Sequence, residues 1–245
     1  MKIGLFVPCY IDQFYPQVAI ATLEILERLG LQVGYPLEQT CCGQPMANSG
    51  MELEAVPAMQ LLIKNFADFD YIVAPSGSCV YHVRKHYDLL PQTEEVCHVR
   101  KHTYELCEFL TDVLKISDLG ACFPFKTGLH QSCHGQRGLR LAQSSELVAA
   151  PFSKVKQLLE QVRGIELVNL RRPDECCGFG GTFAVAEEAV SVKMGLDRIA
   201  DHIAAGAQVI TGTDTSCLMH LEGLLKRQKS TVRVMHIAEI LNSRL

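Results

Sequence analysis

The chain has 245 residues, enough for one large domain or two ordinary ones with a real core. Hydrophobic residues make up 48% and charged residues 20%, which suits a globular protein without disordered stretches. The formal charge of −4 gives no reason to expect nucleic acid or an acidic membrane surface as a partner. Residues 1–120 carry 8 Lys and Arg against 15 Asp and Glu, and residues 121–245 carry 15 against 12. Opposite signs would favour docking of the two halves, or of a partner on each, although ordinary surface composition explains the difference more simply.

In chain order, residues 2–8 are a short apolar run that predicts a strand. The run is too short for an export leader, and Pro8, Cys9 and Asp12 interrupt it. No stretch approaches the length of a membrane span, so the expected compartment is the cytoplasm, with peripheral membrane attachment as the alternative. Val18, Ala21, Ile25 and Leu29 share a helical face over 16–29, and Gly30 supplies the stop signal. A second strand over 33–36 leads to Cys41-Cys42, a helix is predicted over 53–66, and a strand over 71–74 stops at Pro75. The second half repeats the alternation, with strands at 126–131, 165–170, 208–211 and 232–236 and helices at 184–205 and 216–227. Strands alternating with helices predict an α/β fold, each unit a mostly parallel sheet with helices on both faces.

Eleven cysteines are the main chemical signal. A reducing compartment does not keep disulfides, and an odd count cannot pair completely, so the pattern points to metal ligation or redox chemistry. The halves also repeat. Lys2-x-Gly4-Leu5-x-x-x-Cys9 returns as Lys126-x-Gly128-Leu129-x-x-x-Cys133, and Cys41-Cys42-Gly43 as Cys176-Cys177-Gly178. Ser78-Cys79-x-x-His82 returns as Ser216-Cys217-x-x-His220, and His102-x-x-Glu105 as His236-x-x-Glu239. Ordered self-similarity of this kind marks a duplicated unit. The expected division is 1–118 and 119–245, with the two units packed tightly because no flexible linker separates them.

Each unit offers four cysteines: Cys9, Cys41, Cys42 and Cys79 in the first, Cys133, Cys176, Cys177 and Cys217 in the second. Four thiolates match an iron–sulfur cluster or a tetrahedral zinc. Side chains at adjacent positions normally diverge, and Gly43 and Gly178 allow the unusual turn that aims both sulfurs inward. All eight follow predicted strands, where open α/β sheets place ligands. His82 and His220, one helical turn after Cys79 and Cys217, are weaker candidates as ligands or as donors to sulfur. His102, His236 and His134 carry less weight. Cys97, Cys107 and Cys122 lack repeat partners and read as structural. No C-x-x-C, phosphate loop or dinucleotide fingerprint is present, and no carboxylate pair is marked out for acid–base work.

The duplicated C…CCG…C pattern, with Cys41-Cys42-Gly43-Gln44-Pro45 in one copy and Glu175-Cys176-Cys177-Gly178-Phe179-Gly180-Gly181 in the other, resembles the CCG cysteine-rich domain family. That family includes the cluster-binding component of heterodisulfide reductase, glycolate oxidase iron–sulfur subunits and a lactate-utilisation iron–sulfur group, which this chain resembles most along its whole length. The resemblance implies two clusters, [4Fe-4S] in type, one per unit. It implies electron transfer within a lactate (2-hydroxy acid) oxidation complex whose other iron–sulfur or flavin subunits oxidise the substrate. The family's third element is usually C-x-x-C. Here Ser76 and Asp214 stand at the first position of that pair, which disfavours a non-cubane cluster and leaves Asp214 as a candidate oxygen ligand. The alternatives are a thiol/disulfide redox enzyme of the reductase type and a structural zinc protein.

Overall fold

A computed structural model describes residues 1–244. Eight strands and twelve α-helices alternate along them. The first unit runs β1 (Lys2–Leu5), α1 (Cys9–Phe14), α2 (Pro16–Arg28), β2 (Gln32–Gly34), α3 (Gln44–Ala47), α4 (Glu52–Phe66), β3 (Tyr71–Ala74), α5 (Gly77–His86), α6 (Glu94–His102), β4 (Thr103–Glu105) and α7 (Leu106–Glu108). The second runs β5 (Lys126–Leu129), α8 (Lys154–Leu159), β6 (Glu166–Leu167), α9 (Phe183–Ala186), α10 (Glu188–Ala204), β7 (Val209–Gly212), α11 (Thr215–Arg227), β8 (Arg233–His236) and α12 (Ile237–Asn242). Among the described residues, no helix is long and apolar enough to cross a membrane.

The strands form two four-stranded sheets, ordered β2-β1-β3-β4 and β6-β5-β7-β8, with every pairing parallel. Parallel strands need long crossovers, and the helices supply them and cover the sheets. Hence Ile72, Val73 and Ala74 of β3, and Val209 and Ile210 of β7, are fully buried. Equivalent glycines let a helix side chain approach the first strand of each sheet. A Cβ on Gly4 would lie 2.7 Å from the Phe66 ring, and one on Gly128 would clash with His202. These two contacts put α4 and α10 in the same register on their sheets.

Several elements depart from the sequence expectation, and the edge strand β4 was not expected at all. The strand expected over 165–170 is reduced to Glu166–Leu167. The helix expected over 184–205 breaks at Glu187, whose backbone (φ −122°, ψ 48°) is not helical, so α9 and α10 are separate. His102 and His236 are not equivalents. His236 ends β8 and caps α12, whereas Glu105 ends β4 and caps α7, so the repeat aligns Glu105 with His236.

The units interlock. Helix α12 of the second unit packs on α2 of the first, and α7 of the first packs on α8 of the second. Arg28 donates to Asn242, and the Tyr15 hydroxyl donates to Glu222 at 2.6 Å. Backbone meets backbone where Gly77 N–H donates to the Thr213 carbonyl at 3.3 Å. A Cβ on Gly77 would sit 3.2 Å from Gly135, so a side chain at position 77 would crowd this approach.

Candidate metal centre

In each sheet the chain leaves the first strand toward one edge and the third strand toward the other. The crevice between β1 and β3, and between β5 and β7, is therefore a switch point of the kind where α/β sheets bind ligands. The cysteines collect there. Cys9 and Cys133 follow β1 and β5, Cys79 and Cys217 sit in the first turns of α5 and α11, and the double cysteines arrive on the loops after β2 and β6. The turn after each double cysteine is set by glycine: Gly43 has φ +90° and Gly178 has φ +87°. Their N–H groups donate to the Cys41 and Cys176 sulfurs, each at 3.4 Å. The Tyr87 hydroxyl holds the Cys42 carbonyl at 2.9 Å.

All eight cysteines line one cavity of about 520 Å³ between the units. The sequence pattern predicts four thiols per unit, and the structure brings both sets to one common space. Tyr10 and Phe179, from different units, meet edge-on at its rim with ring centroids 6.2 Å apart. All eleven cysteines are free thiols.

Within each set the thiols share charge. Cys9 and Cys41 sulfurs are 3.6 Å apart. Hydrogen bonds from Cys42, then Cys9, pull Cys41 down to about 3, and bonds from Cys133, then Cys177, pull Cys176 down to about 2. The donating thiols shift the other way: Cys9 and Cys42 are raised by their bonds to Cys41, and Cys133 and Cys177 by theirs to Cys176. Hydrogen bonding thus favours negative charge on Cys41 and Cys176 and protons on the neighbouring Cys9, Cys42, Cys133 and Cys177. Soft sulfur donors in fours suit an iron–sulfur cluster or zinc.

The histidines divide unevenly. His82 is buried, with its Nε2 unpaired, and desolvation pushes it down to about 4; it lies close enough to Cys41 to influence its charge. His220 instead turns Nε2 to the Ser191 carbonyl at 3.3 Å, and its pKa is lowered by burial. His134 packs at a tilt against Tyr81, ring centroids 5.4 Å apart. Cys107 and Cys122 are buried away from the cavity, and Cys97 is exposed on α6. Asp214 has one oxygen committed: Oδ1 accepts from Ser76 Oγ at 3.1 Å and Ser78 N–H at 2.8 Å, while buried Oδ2 has no partner.

His130 was not singled out by the sequence. It follows β5 and lines the cavity, and one ring nitrogen lies within 4.8 Å of the Cys177 and Cys217 sulfurs. Burial, then the Arg198 charge, push it down to about 3. Arg198 is itself 0% exposed. The repeat hides both residues, because Phe6 and Leu62 occupy the equivalent places in the first unit. The available signal was an arginine and a histidine at otherwise apolar positions of a predicted core.

Two cysteine-bearing parallel α/β units, joined face to face around one thiol-lined cavity, define the class of protein. The chain belongs to the CCG family, described as Cysteine-rich domain, whose profile matches residues 3–84 and 127–222, once in each unit. It is 44% identical over 248 residues to Lactate utilization protein A of Geobacillus kaustophilus (strain HTA426), covering 100% of both chains. It is 40% identical to the protein of that name from Bacillus subtilis (strain 168), again over 100% of both. Among solved structures it is similar to a hypothetical protein from Helicobacter pylori, with a TM-score of 0.56 and 12% identity. That match covers 98% of this chain and 48% of the other, and at that identity it speaks for the fold alone.

Proposed function

We propose that this protein is an iron–sulfur electron-transfer subunit of a lactate-oxidising system. Cys9, Cys41, Cys42 and Cys79 would hold one cluster, and Cys133, Cys176, Cys177 and Cys217 the other. The observation that carries this reading is the convergence of both four-thiol sets on a single cavity. The name shared by full-length relatives more than 40% identical supports lactate as the substrate of the system. Bound there, the clusters would supply two one-electron carriers, which matches the two electrons released when a 2-hydroxy acid becomes a 2-oxo acid.

The chain's own residues prepare the site. Gly43 and Gly178 direct N–H groups at the Cys41 and Cys176 sulfurs, and packing in the hydrophobic core keeps Cys42 and Cys177 from water at 1% and 2% exposure. Among the described residues, two candidate bases beside the cavity are each held at one atom. His130 Nδ1 accepts from Arg198 and Asp214 Oδ1 accepts from Ser76 and Ser78, while His130 Nε2 and Asp214 Oδ2 have no partner, and His134 packs at a tilt against Tyr81. On this reading substrate oxidation belongs to a partner protein carrying flavin or further clusters, and this chain accepts the electrons. Anaerobically purified protein with an artificial electron acceptor tests the reading: reducible iron without lactate turnover is expected, and robust turnover by the chain alone would overturn it.

A further inference from the structure

The two units differ most behind their thiols. By the register that Phe66 and His202 set on the two sheets, Phe6 and Leu62 in the first unit stand where His130 and Arg198 stand in the second. All of these side chains are buried. The second unit has thus placed an imidazole and a guanidinium at core positions that the first fills with hydrocarbon.

Arg198 is fixed on all sides. Its Nη1 donates to the Arg172 carbonyl at 2.5 Å and to Asp201 Oδ2 at 3.2 Å, and its Nη2 faces the Leu129 and Pro173 carbonyls at 3.4 Å. Asp201 also accepts the N–H groups of Arg171 and Arg172, both at 3.0 Å. The remaining donor, Arg198 Nε–H, points at His130 Nδ1 at 3.2 Å. A guanidinium only donates. His130 Nδ1 must therefore be the bare, accepting nitrogen, and the proton of the neutral ring must sit on Nε2. That nitrogen is buried and has no hydrogen-bond partner in the protein, and one nitrogen of the ring lies within 4.8 Å of the Cys177 and Cys217 sulfurs, so Nε2–H is free to donate to sulfur of a bound centre.

We infer that His130 is a positioning residue for the second centre: Arg198 locks it as the Nε2–H tautomer, and it donates a hydrogen bond to sulfur there instead of binding metal. This rests on the proposed metal centre, although the tautomer does not. A donor to thiolate or cluster sulfur stabilises the more negative, reduced state, so it raises the reduction potential of that centre. Paired with Asp201, Arg198 acts through the ring it orients more than through its net charge.

The test has two readouts. In metal-free protein labelled with ¹⁵N, the His130 ring should show a proton on Nε2 and none on Nδ1. In reconstituted protein, a potentiometric titration followed by electron paramagnetic resonance should resolve two centres. His130→Phe, which copies Phe6, should lower one midpoint and leave the other unmoved. A tenfold loss in the equilibrium for reduction corresponds to about 59 mV for one electron. His130→Gln, which keeps an N–H, should recover most of that loss. A proton on Nδ1, a metal-bound Nε2, or midpoints unmoved in His130→Phe would each overturn the inference. If the protein takes up zinc and no iron, the electron-transfer reading fails, and the tautomer in the metal-free protein still decides the role of His130.

Discussion

Ser76 and Asp214 occupy equivalent positions before α5 and α11, yet they do not do equivalent work. The Ser76 hydroxyl caps its own helix by accepting from Cys79 N–H at 3.3 Å. Asp214 makes no side-chain cap to its own helix and reaches into the other unit, where it accepts from Ser76 Oγ and Ser78 N–H. These two positions, where the family usually carries the extra cysteine, thus join the units directly beneath the thiols. The bond leaves only Asp214 Oδ2 without a partner.

Removing that join should loosen the whole cavity. Asp214→Ala deletes two buried bonds to a charged acceptor, and a cost of about 2–4 kcal/mol is expected. Asp214→Asn keeps an acceptor and should cost about half as much. Urea unfolding of the metal-free protein measures both. Equal losses would mean that charge, not hydrogen bonding, holds the units together.

The two thiol sets should load independently. Cys41→Ser and Cys176→Ser each remove one sulfur of a four-thiol set, so each should roughly halve the bound iron, and the double variant should bind almost none. Cys107→Ser and Cys122→Ser lie outside the cavity and should leave the iron content unchanged, whatever they do to stability. Complete loss from one single variant would show that the sets form one centre.

The glycine after each double cysteine should resist substitution, and unequally. Gly43→Ala places a side chain at φ +90°, with Ala55 3.1 Å away, and should cost about 1–2 kcal/mol. Gly178→Ala adds approaches of 2.6 Å to the Ser191 carbonyl and 2.7 Å to Met194, so it should cost more and impair loading at the second centre. Thermal unfolding and metal content of the paired variants check the order.

Stability should fall on both sides of neutrality. Burial pushes His202 and His236 down to about 2 and 4, so both are neutral in the fold and take up protons on unfolding. Their contribution is present above the unfolded value of about 6.5 and is lost as pH falls toward the folded values. Glu105 shifts oppositely: burial raises it to about 8, so its contribution is complete below 4.5 and is lost as pH rises through about 8. Glu105→Gln keeps the cap to Cys107 N–H and should flatten the alkaline limb. An unchanged limb in urea titrations from about pH 6 to 9 would contradict the assignment.

Most strands and the grouping of the cysteines were legible because their signals are local, whereas the three-residue β4 was not. Apolar runs, the stop at Gly30 and the CCG turns each act within a few residues. The break at Glu187 was not legible, since nothing in Ala184–Glu188 opposes a helix. The pairing of His102 with His236 failed for a related reason: both lie near a helix terminus, and only the strand register distinguishes them. His130 and Arg198 were missed because repeat matching finds what the units share, and this pair is where they differ. The common cavity depends on how the units dock, which no spacing records.

Iron, sulfide and zinc measured together on anaerobically purified protein, with an absorption spectrum, test the central claim most directly. About eight irons with matching sulfide per chain, and a brown colour that bleaches on reduction, are expected for two four-iron clusters. Zinc without sulfide or colour would contradict the account and make the eight thiols a structural site.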